Sequence, residues 1–337
     1  MKYDITIFPK DLNTAASIAK EVEEYGFDGL WTAEVAHNPF LPLTLGASVT
    51  ERINLGTQIA VAFPRSPMVT AQIAWDLAAY SKGRFILGLG TQVKAHITKR
   101  FSAEWGSPVE KMREYIEAMR SIWHTFQTGE PLRYKREYYT FTLMTPFFNP
   151  GSIENPAIPV YIAGVNEKIC ELAGEICQGL HAHAFHTRRY LQEVVLKNME
   201  TGLKRSGRSR SEFEMVVPIF VITGKTEREI QQKIVATKAH IAFYASTPTY
   251  AAVLALHGWN DIAERLSQMA REGKWNEMGA QISDEMLHEV AIIGLADEVG
   301  AKIKERYQSV ADRICFGLDA DDQESRVLWK QVASAIV

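Results

Sequence analysis

A chain of 337 residues, 46% hydrophobic and 23% charged, carries enough apolar material for a substantial core and is too hydrophobic to stay disordered. Its formal net charge of -3 lacks the basic surplus of a nucleic-acid binder, and the short basic run KRSGRSR at 204–210 reads as a solvated loop. Three cysteines make no disulfide framework, the opening MKYDITIFPK is too polar for a signal peptide and no run reaches membrane-helix length, so a cytoplasmic protein with buried thiols at Cys170 and Cys177 is expected.

In chain order, Lys2–Phe8 is a short β run ending at Pro9. Thr14–Tyr25 is an amphipathic helix with Gly26 at its C-terminal stop, and Phe27–Thr32 is the second strand. The loop Ala33–Phe40 leads to a helix at Pro42–Glu51. The central unit follows: Ile53–Val61 is an apolar, β-branched strand, and Ser66-Pro67 opens a helix as N-cap and first-turn proline. Val69, Ile73, Leu77 and Tyr80 recur at helical spacing and predict its inward stripe. Arg84–Leu87 resumes as a buried strand ending in Gly88-Leu89-Gly90-Thr91-Gln92. Both strands are continuously apolar, which suits parallel strands covered on two faces.

Val109–Phe126 is a long helix turning Met112, Ile116, Met119, Ile122 and Trp123 inward. A polar hairpin (128–142) and a proline-rich excursion (144–158) come next. Pro159–Ala163 is strand five, and Gly164-Val165-Asn166 turns into the helix Glu167–Cys177. Gly179–Phe185, Met215–Ile222 and Arg313–Gly317 complete eight strands, the last two separated by about ninety mostly helical residues. Eight strands alternating with helices predict a single-domain α/β protein over 1–337, a (β/α)8 TIM barrel with insertions. A doubly wound open sheet is the runner-up.

Catalysis in such a barrel sits where the strands end. Gly90, Thr91 and Gln92 form a small, hydroxyl-bearing loop whose N–H groups can approach an anion. Ala163, Gly164, Val165 and Asn166 open a helix, where free N–H groups and the dipole favour negative charge. Each is also compatible with an ordinary glycine turn; together they favour a phosphorylated cofactor. Glu34 and His37 follow strand two and are acid–base candidates. In HAHAFH, His181 and His183 point the same way, with His183 placed to line a pocket. A metal pair is the lesser reading, because further ligands are not evident.

The run LGTQIAVAFPRSPMVTAQIAWDLAAYSKGRFILGLGTQVKAH resembles the luciferase-like monooxygenase superfamily in its coenzyme F420-dependent oxidoreductase branch. GFDGLWTAEVAHNPFLPL before it, then EYYTFTLMTPFF, PVYIAGVNEKICELAGEICQGL and the closing IIGLADEVGAKI and DRICFG, extend the likeness over nearly the whole chain. The resemblance implies a barrel holding a deazaflavin at the strand ends and passing a hydride to or from a small organic substrate. It also implies a non-proline cis peptide joining Gln58 and Ile59 in a bulge of strand three, against the ring. Gly90 to Gln92 and Gly164 to Asn166 would surround the cofactor tail, His183 would border the ring, and a homodimer is expected. Sugar-phosphate-oxidising relatives place a histidine directly after the strand-two acid, where this chain has Val35, and a glutamate after the strand-four loop, where it has Gln92 and Val93; substrate class does not carry over. The rival readings are an FMN-dependent monooxygenase, a non-catalytic flavin-binding barrel and a metal hydrolase built on HAHAFH.

Overall fold

The computed structural model describes residues 1–8, 11–318 and 323–336; Pro9, the expected end of the first strand, lies outside them. Eight parallel strands close on themselves: β1 (Lys2–Ile7), β2 (Gly29–Thr32), β3 (Asn54–Thr57), β4 (Phe85–Gly90), β5 (Val160–Gly164), β6 (Gly179–Ala182), β7 (Glu214–Gly224) and β8 (Arg313–Leu318). Each pairs with its sequence neighbours, and β8 returns to β1 over Lys2 to Ile7. The barrel expectation holds.

Two apolar layers follow from strand alternation. Outward residues such as Leu30, Leu55, Leu87, Ile162 and Val217 join the helices in one large core. Trp31, Ile86, Tyr161, Val216 and Cys315 form a separate cluster inside the barrel. Large interior side chains are admitted by missing Cβ atoms. A Cβ on Gly56 would lie 2.3 Å from the Trp31 ring, and one on Gly29 2.8 Å from the Arg313 guanidinium. Beneath this cluster Arg313 binds both Asp4 oxygens (2.7 and 2.8 Å), Asn54 (3.1 Å) and Glu214 (3.2 Å), while Trp31 Nε1 donates to Asp4. The lower end of the barrel is plugged.

Several sequence expectations need correction. The continuous strand Ile53–Val61 does not hold: the chain pairs over Asn54–Thr57 and again only at Ala60–Val61, beside Leu89 and Gly90 of β4, while the cis peptide between Gln58 and Ile59 is present as the resemblance implies. Strand six stops at Ala182, short of Phe185. In the helix Pro67–Tyr80, capped by Ser66 as expected, the buried face is Thr70, Ala71, Ala74, Trp75, Leu77 and Ala78, whereas Val69 and Tyr80 are exposed. Small residues win that face because the long helix Pro108–Thr128 lies close: Thr70 bonds Tyr115 (2.5 Å), and Trp123 Nε1 donates to the Ala71 carbonyl (3.0 Å). The long helix itself buries all five residues expected of it.

The basic run at 204–210 is no free loop. Arg205 pairs with Glu175 and Glu171, Arg208 donates to the Gly174 and Cys177 carbonyls, and Arg210 pairs with Asp312. Cys170 and Cys177 are buried free thiols, and burial pushes each up to about 12. The stretch between β7 and β8 holds helices, Glu227–Ala245 first among them, and also a strand, Ala291–Leu295. That strand pairs with Phe220 to Gly224, where β7 overshoots the barrel. No helix among the described residues is long and apolar enough to cross a membrane.

Candidate active site

At the upper end of the barrel Ala33, Ala163 and Pro218 stand one inward position above Trp31, Tyr161 and Val216 and are half-buried; Gly90, two inward positions above Ile86, is buried, and Gly317 is exposed. His183, half-buried, follows β6 directly. Small side chains thus line this end, where barrel enzymes place their chemistry. Strands three to five meet there: Ile59 projects from the bulge toward Gly90, whose missing Cβ would lie 2.5 Å from Ile59 Cδ1 and 3.7 Å from Ala163 Cβ. Only glycine at position 90 lets Ile59 rise into the mouth.

Below these residues a hydrogen-bonded crosspiece spans the barrel. Thr6 on β1 donates to Gln58 Oε1, and Gln58 Nε2 donates to His181 Nδ1 (3.1 Å). His181 therefore carries its proton on Nε2, which is buried without a partner. Burial first, and the Arg313 charge second, push His181 down to about 3, so the ring is neutral. The sequence pairing of His181 and His183 rests on a common strand that ends at Ala182, and no motif marks Gln58 as an interior side chain.

Glu34 and His37 do not act as a pair. Glu34 receives two bonds from Arg65 (2.7 and 2.8 Å) and one from the Val61 N–H (2.7 Å), and Arg65 also binds the Val61 carbonyl (2.9 Å). With both oxygens engaged, the carboxylate clamps the second half of strand three to the loop after β2. His37 is exposed and, among the described residues, no hydrogen bond joins it to Glu34. Arg65 was missed because its partner lies 31 residues away in sequence.

His183 Nδ1 accepts the Phe185 N–H (3.1 Å), leaving Nε2 as the proton-bearing nitrogen. Burial, then the neighbouring His186 and His240, push it down to about 3. It is thus a neutral donor rather than a base. The third histidine of HAHAFH, His186, is buried against the His183 carbonyl and the Tyr307 hydroxyl. Among the described residues, no group of three or more His, Cys, Asp or Glu could hold a metal ion.

On the cofactor side, Gln92 holds a left-handed φ of 56° and its side chain accepts from the Val93 N–H (3.1 Å), while Thr91 bonds the Gln92 carbonyl (3.2 Å). Asn166 is the exposed N-cap of the helix Glu167–Ile176 and makes no side-chain cap bond, so first-turn N–H groups face outward. Tyr190 fixes Val165 through its carbonyl (3.2 Å). Gly164, by contrast, turns away from the mouth: a Cβ there would lie 2.7 Å from Leu180 and 3.2 Å from Ile169. Its glycine serves helix–strand packing, so a bulky residue there disturbs the fold as well as any ligand.

A closed parallel barrel, plugged below by the Arg313 network and lined above by small side chains, is the frame of a (β/α)8-barrel enzyme. The luciferase-like monooxygenase family matches residues 4–313, and the chain belongs to that family. It is 46% identical over 324 residues to an uncharacterized protein of Mycobacterium tuberculosis, covering 96% of this chain and 95% of that one. It is 29% identical over 307 residues to the 5,10-methylenetetrahydromethanopterin reductase of Archaeoglobus fulgidus, covering 88% and 87%. The structure of the coenzyme F420-dependent tetrahydromethanopterin reductase of Methanopyrus kandleri shares the fold, with a TM-score of 0.82 at 24% identity over 99% of this chain and 98% of that one.

Proposed function

We propose that this enzyme uses coenzyme F420 to oxidise or reduce a small organic substrate. The observation that carries the reading is the meeting of β3 to β5 at the barrel end, where Ile59, just past the cis peptide, packs over Gly90 beside Ala163. The residues fit the cofactor. Gln58, Ile59 and Gly90 would bear on the ring, and Thr91, Gln92, Ala163, Val165 and Asn166, with the backbone at Gly164, would hold the anionic tail through N–H groups. When bound, the deazaflavin supplies hydride chemistry at its reactive carbon.

The chain's own groups then have separate tasks. Glu34 and Arg65 hold the bulge in place, the neutral His183 donates a hydrogen bond from Nε2, and His37 stands exposed on the loop after β2. The Methanopyrus kandleri reductase, named as coenzyme F420-dependent, supports the deazaflavin over FMN. Titration of the purified protein with each cofactor tests it. Saturable quenching of F420 fluorescence, with FMN binding at least about tenfold weaker, is expected; the reverse order overturns the reading and favours a flavin-dependent monooxygenase.

A further inference from the structure

One wall of the mouth is aromatic. His183 stacks on Tyr250 (centroids 4.2 Å apart, 22° between planes) and meets the edge-on ring of Tyr244 (4.6 Å). Tyr244 in turn stacks on His240 (4.7 Å), and Phe220 of β7 meets His240 edge-on (5.3 Å). These five rings come from the residue after β6, from β7 and from the two helical segments after β7, so the cluster exists only in the folded chain. His183 follows β6 directly, which sets the wall at the barrel end that carries Gly90 and Ala163.

Two further features make this more than packing. Tyr244 and Tyr250 are half-buried, and their hydroxyls reach the surface with no protein hydrogen-bond partner among the described residues, so both are free to donate to a bound molecule. The wall is also electrically plain: burial raises Tyr244 and Tyr250 and lowers His240, with no carboxylate or cation contributing.

Resting on the oxidoreductase reading, we propose that this wall is the substrate subsite and takes a planar, uncharged, conjugated carbonyl compound. The rings stack on its flat face, and the Tyr244 and Tyr250 hydroxyls donate to its oxygen. A charged sugar phosphate finds no counter-charge there.

Calorimetric titration of the full chain without cofactor tests the subsite, using benzylideneacetone, a flat aryl enone, and benzylacetone, its saturated counterpart. Benzylideneacetone binds at least about tenfold tighter, from ring stacking that the bent chain of benzylacetone does not reproduce. Tyr250→Ala loses about tenfold of that affinity. Tyr250→Phe, which keeps the ring and removes only the hydroxyl, loses about threefold. Equal affinities for the two ketones, or an unchanged affinity in Tyr250→Phe, overturn the proposal. Titration of the same protein with F420 separates the two readings: absent cofactor binding with intact ketone discrimination defeats only the cofactor assignment, and the opposite pattern defeats only the subsite.

Discussion

The contact between Glu34 and Arg65 shows how a carboxylate near a barrel mouth can be structural. Its side chain is 7% exposed, that of Arg65 16%, and the backbone of Val61 supplies a donor to one and an acceptor to the other. Removing one member leaves the other charge buried and unpaired, which costs about 3 kcal/mol. Arg65→Met is therefore expected to lower unfolding free energy by about that amount in urea titrations, and to weaken cofactor binding through a displaced Ile59. Gln58 offers a second test. Gln58→Leu removes the donor to His181 and the acceptor for Thr6, stranding both beneath the mouth. A loss of about 1–3 kcal/mol is expected by the same measurement, and a neutral result would show the crosspiece to be dispensable.

At the scale of elements, the strands place their glycines by what crosses the barrel. A Cβ on Gly88 would lie 1.9 Å from the Thr57 carbonyl oxygen and 2.8 Å from His181 Nε2. Backbone cannot yield as a side-chain tip can, so Gly88→Ala is expected to abolish soluble folded protein. Gly164→Ala meets chiefly the tip of Leu180 and should cost about 1–3 kcal/mol while remaining folded, as thermal melts would show. All eight strands were legible as short β-prone runs bounded by turn residues, several of them, such as Phe85–Gly90 and Val160–Gly164, continuously apolar. The sequence did not announce the packed face of Pro67–Tyr80, where periodicity chose the larger side chains and close helix approach chose the smaller. Nor did it mark the strand Ala291–Leu295, whose five residues follow a helix directly and read as its continuation. The candidate site was legible where glycine or histidine sits at a strand end. Tyr244, Tyr250 and Arg65 were not, since their partners are distant in sequence and their own neighbourhoods carry no motif.

For the molecule as a whole, acid stability should be set by groups that folding keeps unprotonated. His181 and His183 sit at about 3 and His186 at about 4, each displaced first by burial, against an ordinary 6.5. Between those values the unfolded chain binds more protons than the folded one, so stability falls as pH drops from 6.5 towards 4. Each histidine contributes a slope of up to about 1.4 kcal/mol per pH unit. Glu214 extends the loss at lower pH. Burial raises it, but hydrogen bonds from Lys2 and Tyr161 and the Arg313 charge outweigh that and bring it to about 2, so its contribution is lost as pH falls from 4.5 towards 2. Urea titrations of His183→Phe across this range should show a shallower decline than the parent from about pH 6 downward. An unchanged slope would mean that His183 protonates as readily in the folded protein as in the unfolded chain.

The overshoot of β7 carries a consequence of its own. Because Phe220 to Gly224 leave the ring of staves and pair with Ala291–Leu295, the long excursion between them is bolted to the barrel by a two-stranded bracket. Whatever that excursion presents to the mouth is mounted independently of β3 to β5. Exchange of residues 225–290 between relatives should therefore retune what the enzyme accepts while the opposite half of the ring keeps its grip unaltered.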